Sequence, residues 1–545
     1  MVNQPQEVLG LTLTLISKMM KKILKYTLAC FIAVSLTNCT DNFEDINTDP
    51  NGISTESLTQ MNNHIGGSFT PMFLNVINAT PAWNYQLQQG LMGDVYSGYM
   101  TPPTPFAGNV NNMTYALVDG WNGFPWSDAY GSVMPFVLDI KNAVEIGGDP
   151  TGIKFVYLAN IIKVAAMHRV SDIYGPIRYT KFDDFETTGE YDPQDVAYKA
   201  FFADLDDAIK GLAAFTGDTQ FAAFDMSNLG GDIAMWRKYA NTLRLRLAIR
   251  VSKVDPALAK TQGELAFNSD AGLMETGDMV VSTGFIHPIS VISNSWGDIR
   301  MGAEMESILN GYNDGRIEKY FNPSADASLD GDYKGIRMGI AIEAKGQYLE
   351  HAGIGEVIEV EAVTWMTAAE VKFLKAEAAL RGWSGAGDVQ TNYEDGIRAS
   401  FAQHGAGGVD AYIADNASTP NDFVDALNPD NDIEYYGSDV KIAFDASGTQ
   451  EEQLEQIITQ KWIAMFPDGQ EAWSEFRRTG YPRVFPVVVN NSGGDIDTDI
   501  QIRRINFVSS EVNTNGENVE EAIQFLGGPD TGGTRLWWDV SGSNF

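Results

Sequence analysis

Pairs of amphipathic segments constrain the fold of this chain more than any other feature of its sequence. Between Lys154 and Asp172, and again between Ile233 and Val251, apolar side chains recur every three to four residues. A helix with one apolar stripe buries that stripe against a neighbouring element. Four pairs of helices are predicted in this way: 128–146 with 154–172, 194–213 with 233–251, 366–381 with 391–404, and 451–466 with 470–478.

Paired helices of this length predict a mainly α fold built from about four tetratricopeptide-like units, in which stacking buries faces that one pair cannot bury alone. The strict repeat signature is absent, so the prediction rests on the pairing. The helical scaffold is expected over about 128–253 and 365–480. Long irregular loops follow the pairs, and loops of such length are usually functional. A few short strands are predicted, at Met279–Ser282, Val357–Val360 and Pro486–Val489.

The N-terminal region reads as a secretory signal that ends at a cysteine. A basic start at Met19 or Met20 precedes an apolar run of about a dozen residues, which is too short to span a bilayer. Cys39 follows this run, with Leu36 three residues before it. We therefore expect residues 1–38 to be a signal peptide and Cys39 to carry acyl chains as a lipid anchor. An ordinary signal peptide with an incidental cysteine is the alternative.

Charge and cysteine content exclude several classes of protein. The 545 residues include 72 acidic and 37 basic side chains, a net charge of −35. Nucleic acid requires basic side chains, so no nucleic-acid partner is expected. Anionic lipid would also repel the chain, so membrane attachment is expected through the acyl chains alone. Because Cys30 and Cys39 are the two cysteines, the mature fold is predicted to have no disulfide.

No motif for metal binding or catalysis is found. The five histidines are scattered without zinc spacing, and no nucleophile elbow, P-loop or dinucleotide fingerprint occurs. Asp495 and the acidic residues after it resemble the start of a calcium loop, but Ile500 and Asn506 replace its glycine and closing glutamate. A solvated acidic loop is the better interpretation, with a structural calcium left open. No other cofactor and no catalytic residue is predicted.

An ordered set of motifs resembles a known family. They are Asn47–Gly52, Val156–Ile177, Trp236–Ala248, Phe373–Gly382, Asn392–Ile397, Gln460–Ala464, Glu471–Pro482 and Trp537–Asp539. Together they resemble the SusD/RagB-like outer-membrane nutrient-binding lipoproteins of Bacteroidetes, in the sub-group with the early Asn-Thr-Asp-Pro-Asn-Gly motif. The resemblance covers essentially the whole mature chain from residue 39 to residue 545.

The resemblance implies a helical scaffold with a loop-built binding face, here within about 81–127 and 268–364. It also implies an outer-membrane lipid anchor with the body facing the cell exterior, and a SusC-like TonB-dependent transporter as partner. The implied function is to bind an oligosaccharide and deliver it to that transporter, without catalysis. Capture of peptides or protein fragments for the same kind of transporter is the alternative, and a surface hydrolase is a less favoured one.

Sugar binding needs aromatic faces for the apolar side of each ring and planar polar groups for the hydroxyls. Two regions have this composition. The candidate ligand-binding residues are Trp83, Tyr96, Tyr99, Asn109, Tyr115 and Trp121 in the first, and Asn294, Trp296, Asp298 and Arg300 in the second. The alternatives are burial of Trp83 and Trp121 under their own loop, loop anchoring by Trp296, and a local ion pair for Arg300.

Overall fold

A computed structural model describes residues 16–25, 62–182, 188–329, 331–359, 362–434 and 438–545. The proposed anchor Cys39, the end of the predicted signal peptide and the early Asn47–Gly52 motif lie outside these ranges. Residues 16–25 form a helix in one unit of the chain, and residues 64–545 belong to a second. None of the described helices is long and apolar enough to cross a membrane.

Helices dominate the described residues, as the sequence predicts. Within the described residues from 62 onward, the helices of nine or more residues are α1 Phe124–Ser132, α2 Met134–Gly147, α3 Ile153–Tyr174, α4 Gln194–Gly211, α5 Ile233–Arg250, α6 Pro256–Asn268, α7 Ala303–Gly311, α8 Ala368–Leu380, α9 Val389–His404, α10 Gln450–Ala464, α11 Gly469–Thr479 and α12 Gly516–Leu526. Shorter α-helices are Asn63–Gly66, Phe69–Leu74, Ala82–Tyr85, Gly93–Tyr96, Asp119–Asn122, Ile317–Tyr320, Glu356–Glu359, Val409–Ile413 and Ser509–Thr514. Two π-helical turns are Gln86–Gly90 and Val291–Ser295.

The four predicted helix pairs are present: α2 packs on α3, α4 on α5, α8 on α9, and α10 on α11. Neighbouring pairs also pack, through α3 with α4 and α8 with α10. Side-chain caps define several helix starts. Asp232 accepts hydrogen bonds from main-chain N–H groups at the start of α5, and Thr449 forms a capping box with Glu452 at the start of α10. The mainly α prediction with paired helices is confirmed.

In the described part of the chain, four short strands form two small sheets. The strands are β1 Met100–Thr101, β2 Met279–Ser282, β3 Arg300–Met301 and β4 Val363–Thr367. β1 pairs antiparallel with β3, and β2 with β4. The predicted strand at 279–282 is confirmed. The strand predicted at 357–360 is wrong, since Glu356–Glu359 is helical, and the described residues 486–489 form no strand.

Three helices lie where the sequence indicated irregular chain or no element. α6 follows α5 and packs against it, α7 lies within the predicted loop 268–364, and α12 lies within 483–545. α6 begins at a cap, with the Asp255 side chain accepting a hydrogen bond from the main-chain N–H of Leu258. The scaffold is therefore more extensively helical than the periodicity of the four pairs indicates.

Buried ion pairs join the helices at the centre of the scaffold. Arg478 of α11 donates to Glu377 of α8 at 2.6 and 2.7 Å and also to Glu475. Arg250 of α5 donates to Glu475 at 2.9 Å and pairs with Glu471. All five side chains are at most 2% exposed. Because isolated buried charges are very costly, these ions must stay paired for the helices to pack in this way.

Candidate ligand-binding site

The fold brings the two predicted binding regions together. In the β1–β3 pair, Thr101 of the first region lies opposite Arg300 of the second. The helix Ala82–Tyr85 of the first region also contacts the π-helical turn Val291–Ser295 of the second. Residues more than 190 positions apart in sequence are therefore neighbours in the fold.

Five aromatic rings of these two neighbouring regions are grouped here as the aromatic platform. Its members are Trp83, Phe106, Trp121, Phe124 and Trp296. Trp83 is 48% exposed and Trp296 is 38% exposed, whereas the other three rings are partly buried. Exposed indole rings that the fold already holds in place are available to a ligand. Their conformational entropy is lost on folding, so less of it is lost on binding.

Edge-to-face contacts hold two pairs of platform rings in place. The ring centroids of Trp83 and Phe124 are 5.5 Å apart with an interplanar angle of 82°. Phe106 and Trp121 are 5.8 Å apart, also at 82°. This geometry is a favourable arrangement of aromatic quadrupoles. In each pair the contact with a phenylalanine ring fixes the orientation of the tryptophan ring.

A carboxylate and an ammonium group adjoin Trp296. Asp298 Oδ1 accepts hydrogen bonds from Thr104 Oγ1 at 2.7 Å and from Lys345 Nζ at 2.7 Å. Its other oxygen, Oδ2, is 3.4 Å from Gln86 Nε2. Lys345 Nζ also donates to the main-chain oxygen of Trp296 at 2.7 Å. Asp298 thus ties the two predicted regions together beside an exposed ring.

The remaining polar residues of the prediction have structural partners. Arg300 donates to the main-chain oxygens of Leu349, Ser293 and Ile299 at 2.6–2.8 Å. Across the described ranges no carboxylate lies within ion-pair distance of Arg300, so the local ion pair considered for it is not found, and burial lowers its pKa. These bonds identify Arg300 as an anchor of the loop.

Two asparagines of the prediction lie on the surface of this region. Asn109 donates from Nδ2 to the main-chain oxygen of Ile342 at 2.9 Å, and Asn294 is exposed with Nδ2 3.4 Å from the main-chain oxygen of Ile354. Asn294 lies two residues before Trp296, so its amide remains a candidate for ligand contact. The amide of Asn109 is more strongly engaged, because its hydrogen bond joins its loop to the segment that contains Ile342.

Three tyrosines of the predicted site are part of the core, and this corrects the prediction. Tyr96, Tyr99 and Tyr115 are each at most 1% exposed. The Tyr99 hydroxyl donates to the main-chain oxygen of Trp462, and its ring packs 4.8 Å from the indole of Trp462. Burial raises the pKa of all three hydroxyls. They stabilise the scaffold beneath the site and are not available to a surface ligand.

Other members of the site were missed by sequence reasoning. Phe106 and Phe124 lie inside the predicted loop 81–127 but were not distinguished from core rings. Gln86 and Thr104 carry no local signal, and Lys345 reaches Asp298 from a distant part of the chain. The Pro105-Phe106 and Phe124-Pro125 sequences place one ring at the start of a 3-10 turn and the other at the first residue of α1, which is the one signal that could have indicated them.

The acidic segment that resembles a calcium loop forms a turn of its own. Within the described ranges, no three His, Cys, Asp or Glu side chains gather at metal-binding distance. In the acidic segment that resembles a calcium loop, Asp497 Oδ1 accepts hydrogen bonds from the N–H groups of Asp499 and Ile500 at 2.8 and 3.0 Å. This is a turn closed by its own side chain.

These features define a class: a helical-repeat protein that presents a loop-built aromatic surface to a ligand. The family model of the SusD-like family, described as SusD and RagB outer membrane lipoproteins, matches residues 45–539. The chain belongs to this family of outer-membrane lipoproteins. Among curated proteins no significant match is found.

Solved structures of similar proteins support this assignment. A chitin-binding SusD homologue from Flavobacterium johnsoniae is 47% identical, covers 89% of this chain and 100% of its own, and superposes with a TM-score of 0.84. A SusD homologue from Bacteroides vulgatus is 36% identical over 89% of this chain and 99% of its own, with a TM-score of 0.83. One from Bacteroides uniformis is 35% identical over 88% and 99%, with a TM-score of 0.81.

Proposed function

We propose that this protein binds chitin-type oligosaccharides, built from N-acetylglucosamine, at the aromatic platform. The observation that carries the proposal is the exposure of Trp83 and Trp296 on two elements that contact each other, on a chain 47% identical to a chitin-binding homologue. A sugar ring has an apolar C–H face that covers an indole, and equatorial hydroxyls that point to the sides. The platform supplies both kinds of partner.

The polar groups around the rings suit a neutral sugar. Asp298 Oδ2 and the exposed amide of Asn294 can accept or donate hydrogen bonds beside Trp296, and Gln86 lies within 3.4 Å of the same carboxylate. A few oriented polar groups among aromatic faces are the usual composition of a ligand site. Such a surface binds without needing a nucleophile or an acid–base pair, so we propose binding without catalysis.

The biological setting follows from family membership and from the N-terminal sequence. We propose that residues 1–38 are removed, that Cys39 carries the lipid anchor, and that the body faces the cell exterior. Residues 39–545 would then form the binding protein that passes its ligand to a SusC-like TonB-dependent transporter. The net charge of −35 supports attachment through acyl chains rather than through electrostatic contact with anionic lipid.

A glycan panel tests the proposal. Affinity electrophoresis and calorimetry of the soluble protein should give binding to N-acetylglucosamine oligomers, weaker binding to cello- and malto-oligosaccharides, and no product release. Binding to peptides with no glycan retained would replace the proposal with the peptide-capture alternative. Release of shorter sugars by the purified protein would instead establish a hydrolase.

A further inference from the structure

We propose that the platform also binds de-N-acetylated amino-sugar glycans, which carry free ammonium groups, with Asp298 as the residue that receives the ammonium. This inference rests on the proposed function, because it takes the aromatic platform as a glycan site. It adds a cationic class of ligand, represented by glucosamine oligomers, to the neutral class proposed above.

A carboxylate lies close in sequence to each part of the platform. Asp119 precedes Trp121 by two residues, Asp128 follows Phe124 by four, and Asp298 follows Trp296 by two. Asp119 is exposed, and Asp128 and Asp298 are partly exposed. An aromatic face beside a carboxylate suits a cation, because the ring quadrupole and the negative charge both attract it.

Asp298 retains capacity to accept a further hydrogen bond. Its Oδ1 already accepts from Thr104 and Lys345 at 2.7 Å, whereas Oδ2 has one long contact of 3.4 Å with Gln86. The side chain is 19% exposed. An ammonium group offers three donors and no acceptor, so it matches a carboxylate oxygen with an unused lone pair. Hydrogen bonds of this charged kind are among the stronger ones.

The other end of the platform also has an excess of acceptors. Asp128 accepts from the side-chain amides of Asn78, Asn84 and Gln88 at 3.2–3.4 Å. The Oδ1 atoms of Asn78 and Asn84 are buried and have no hydrogen-bond partner among the described residues. Asn84 is 7% exposed and directly follows Trp83. Of these acceptors Asp128 is the partly exposed one, so its carboxylate is the group at this end that a ligand donor can reach.

The nearby cations are already engaged. Lys345 Nζ bonds both Asp298 and the Trp296 main chain, and the Arg300 guanidinium bonds three main-chain oxygens. Neither is directed at a ligand. A chain of net charge −35 would in addition attract a polycationic glycan and repel a polyanionic one.

Calorimetry with defined oligomers tests this inference. The probes are glucosamine hexamer and N-acetylglucosamine hexamer, at about pH 5, where the amines of the first hexamer carry protons and an aspartate with the ordinary pKa of about 3.9 is ionised. We expect both hexamers to bind. Raising NaCl from about 0.1 M to about 1 M shortens the screening length from about 10 Å to about 3 Å and should weaken glucosamine hexamer about tenfold, with little change for the acetylated one.

The variant Asp298→Asn should lose about tenfold in affinity for glucosamine hexamer and less than about threefold for its acetylated counterpart. Asp139→Asn, at an exposed position of α2, is the matched control and should change neither. Should Asp298→Asn melt early, Asp298→Ser, which removes the same charge, provides the second variant, with the same expected selectivity.

The outcomes separate this inference from the proposed function. Binding of the acetylated hexamer alone, or equal losses for both hexamers in the Asp298 variant, overturns the inference and leaves the proposed function standing. Binding of neither hexamer overturns both. Salt-sensitive binding of glucosamine hexamer that depends on Asp298 supports the inference.

Discussion

The ammonium of Lys345 lies 2.7 Å from Asp298 Oδ1, and the same Nζ donates to the main-chain oxygen of Trp296 at 2.7 Å. One side chain therefore fixes both a carboxylate and the turn that carries an exposed indole. The pair is itself accessible, with 32% of the Lys345 side chain and 19% of the Asp298 side chain exposed. We therefore expect this ion pair to position groups of the binding site rather than to stabilise the fold.

The substitution Lys345→Met should weaken binding of N-acetylglucosamine hexamer while leaving stability nearly unchanged. An accessible ion pair contributes about 0–1 kcal/mol to folding, so the melting temperature should hardly move. Loss of positioning for Trp296 and Asp298 should lower affinity about threefold to tenfold. Calorimetry and thermal melts on the same sample measure both. A clear fall in melting temperature with unchanged affinity would assign Lys345 to the fold instead.

The buried pair Arg478–Glu377 should be essential for stability. The substitution Glu377→Gln leaves Arg478 and Arg381 without their shared carboxylate in the core, and breaking a buried pair from one side costs about 3–5 kcal/mol. Denaturant unfolding should show this loss. Lys199→Met, at an exposed pair with Asp195, is the control and should cost no more than about 0.5 kcal/mol. Similar unfolding free energies for the two variants would refute the assignment.

The buried carboxyl group of Asp94 makes the stability of the fold depend on pH. Burial, reinforced by the charge of Asp468, raises its pKa to about 7, above the unfolded value of about 3.9. Between these values the folded carboxyl stays protonated while the unfolded one is ionised, so stability falls as pH rises through that window.

The substitution Asp94→Asn removes this titration. Relative to the parent, the variant should gain roughly 1.4 kcal/mol in unfolding free energy for each pH unit between about pH 4 and pH 7. Chemical unfolding of both proteins at several pH values measures the difference. A difference that stays constant across that range would mean that Asp94 is ionised in the folded protein.

The predicted lipid anchor can be tested in cells. Cys39→Ser removes the acyl acceptor, so the protein should move from the outer-membrane fraction to the soluble fraction, and metabolic labelling with a fatty-acid analogue should be lost. Cys30→Ser, within the predicted signal peptide, should change neither result. Retention of Cys39→Ser in the membrane fraction after a salt wash would show that attachment does not depend on the acyl chains.

Much of the scaffold could be predicted from the sequence because its signal is local. The stripes of α3 and α5 recur over five or six turns, and every predicted pair packs as expected. α7 and α12 were missed because they are short and lie between polar and glycine-rich stretches. The strand predicted at 357–360 failed because a stretch as short as Val-Ile-Glu-Val fits a short helix equally well.

The site was less predictable because its members meet only through tertiary structure. Trp83 and Trp296 were identified as aromatic residues among polar neighbours, and both are exposed. Tyr96 and Tyr99 have the same kind of neighbours in sequence, yet they pack against Trp473 and Trp462 of distant helices. No local pattern distinguishes a ring that faces solvent from one that faces α10 or α11.

The most direct test of the account compares glycan affinity in the parent protein and in the double variant Trp83→Ala/Trp296→Ala. Phe525→Ala is the control, because Phe525 is 39% exposed on α12 and is not part of the platform. With calorimetry on N-acetylglucosamine hexamer, we expect the double variant to lose at least about thirtyfold in affinity, the effect of removing an aromatic hot spot of about 2 kcal/mol, while melting as a folded protein. The control should bind like the parent. Unchanged affinity in the folded double variant would contradict the platform as the binding site.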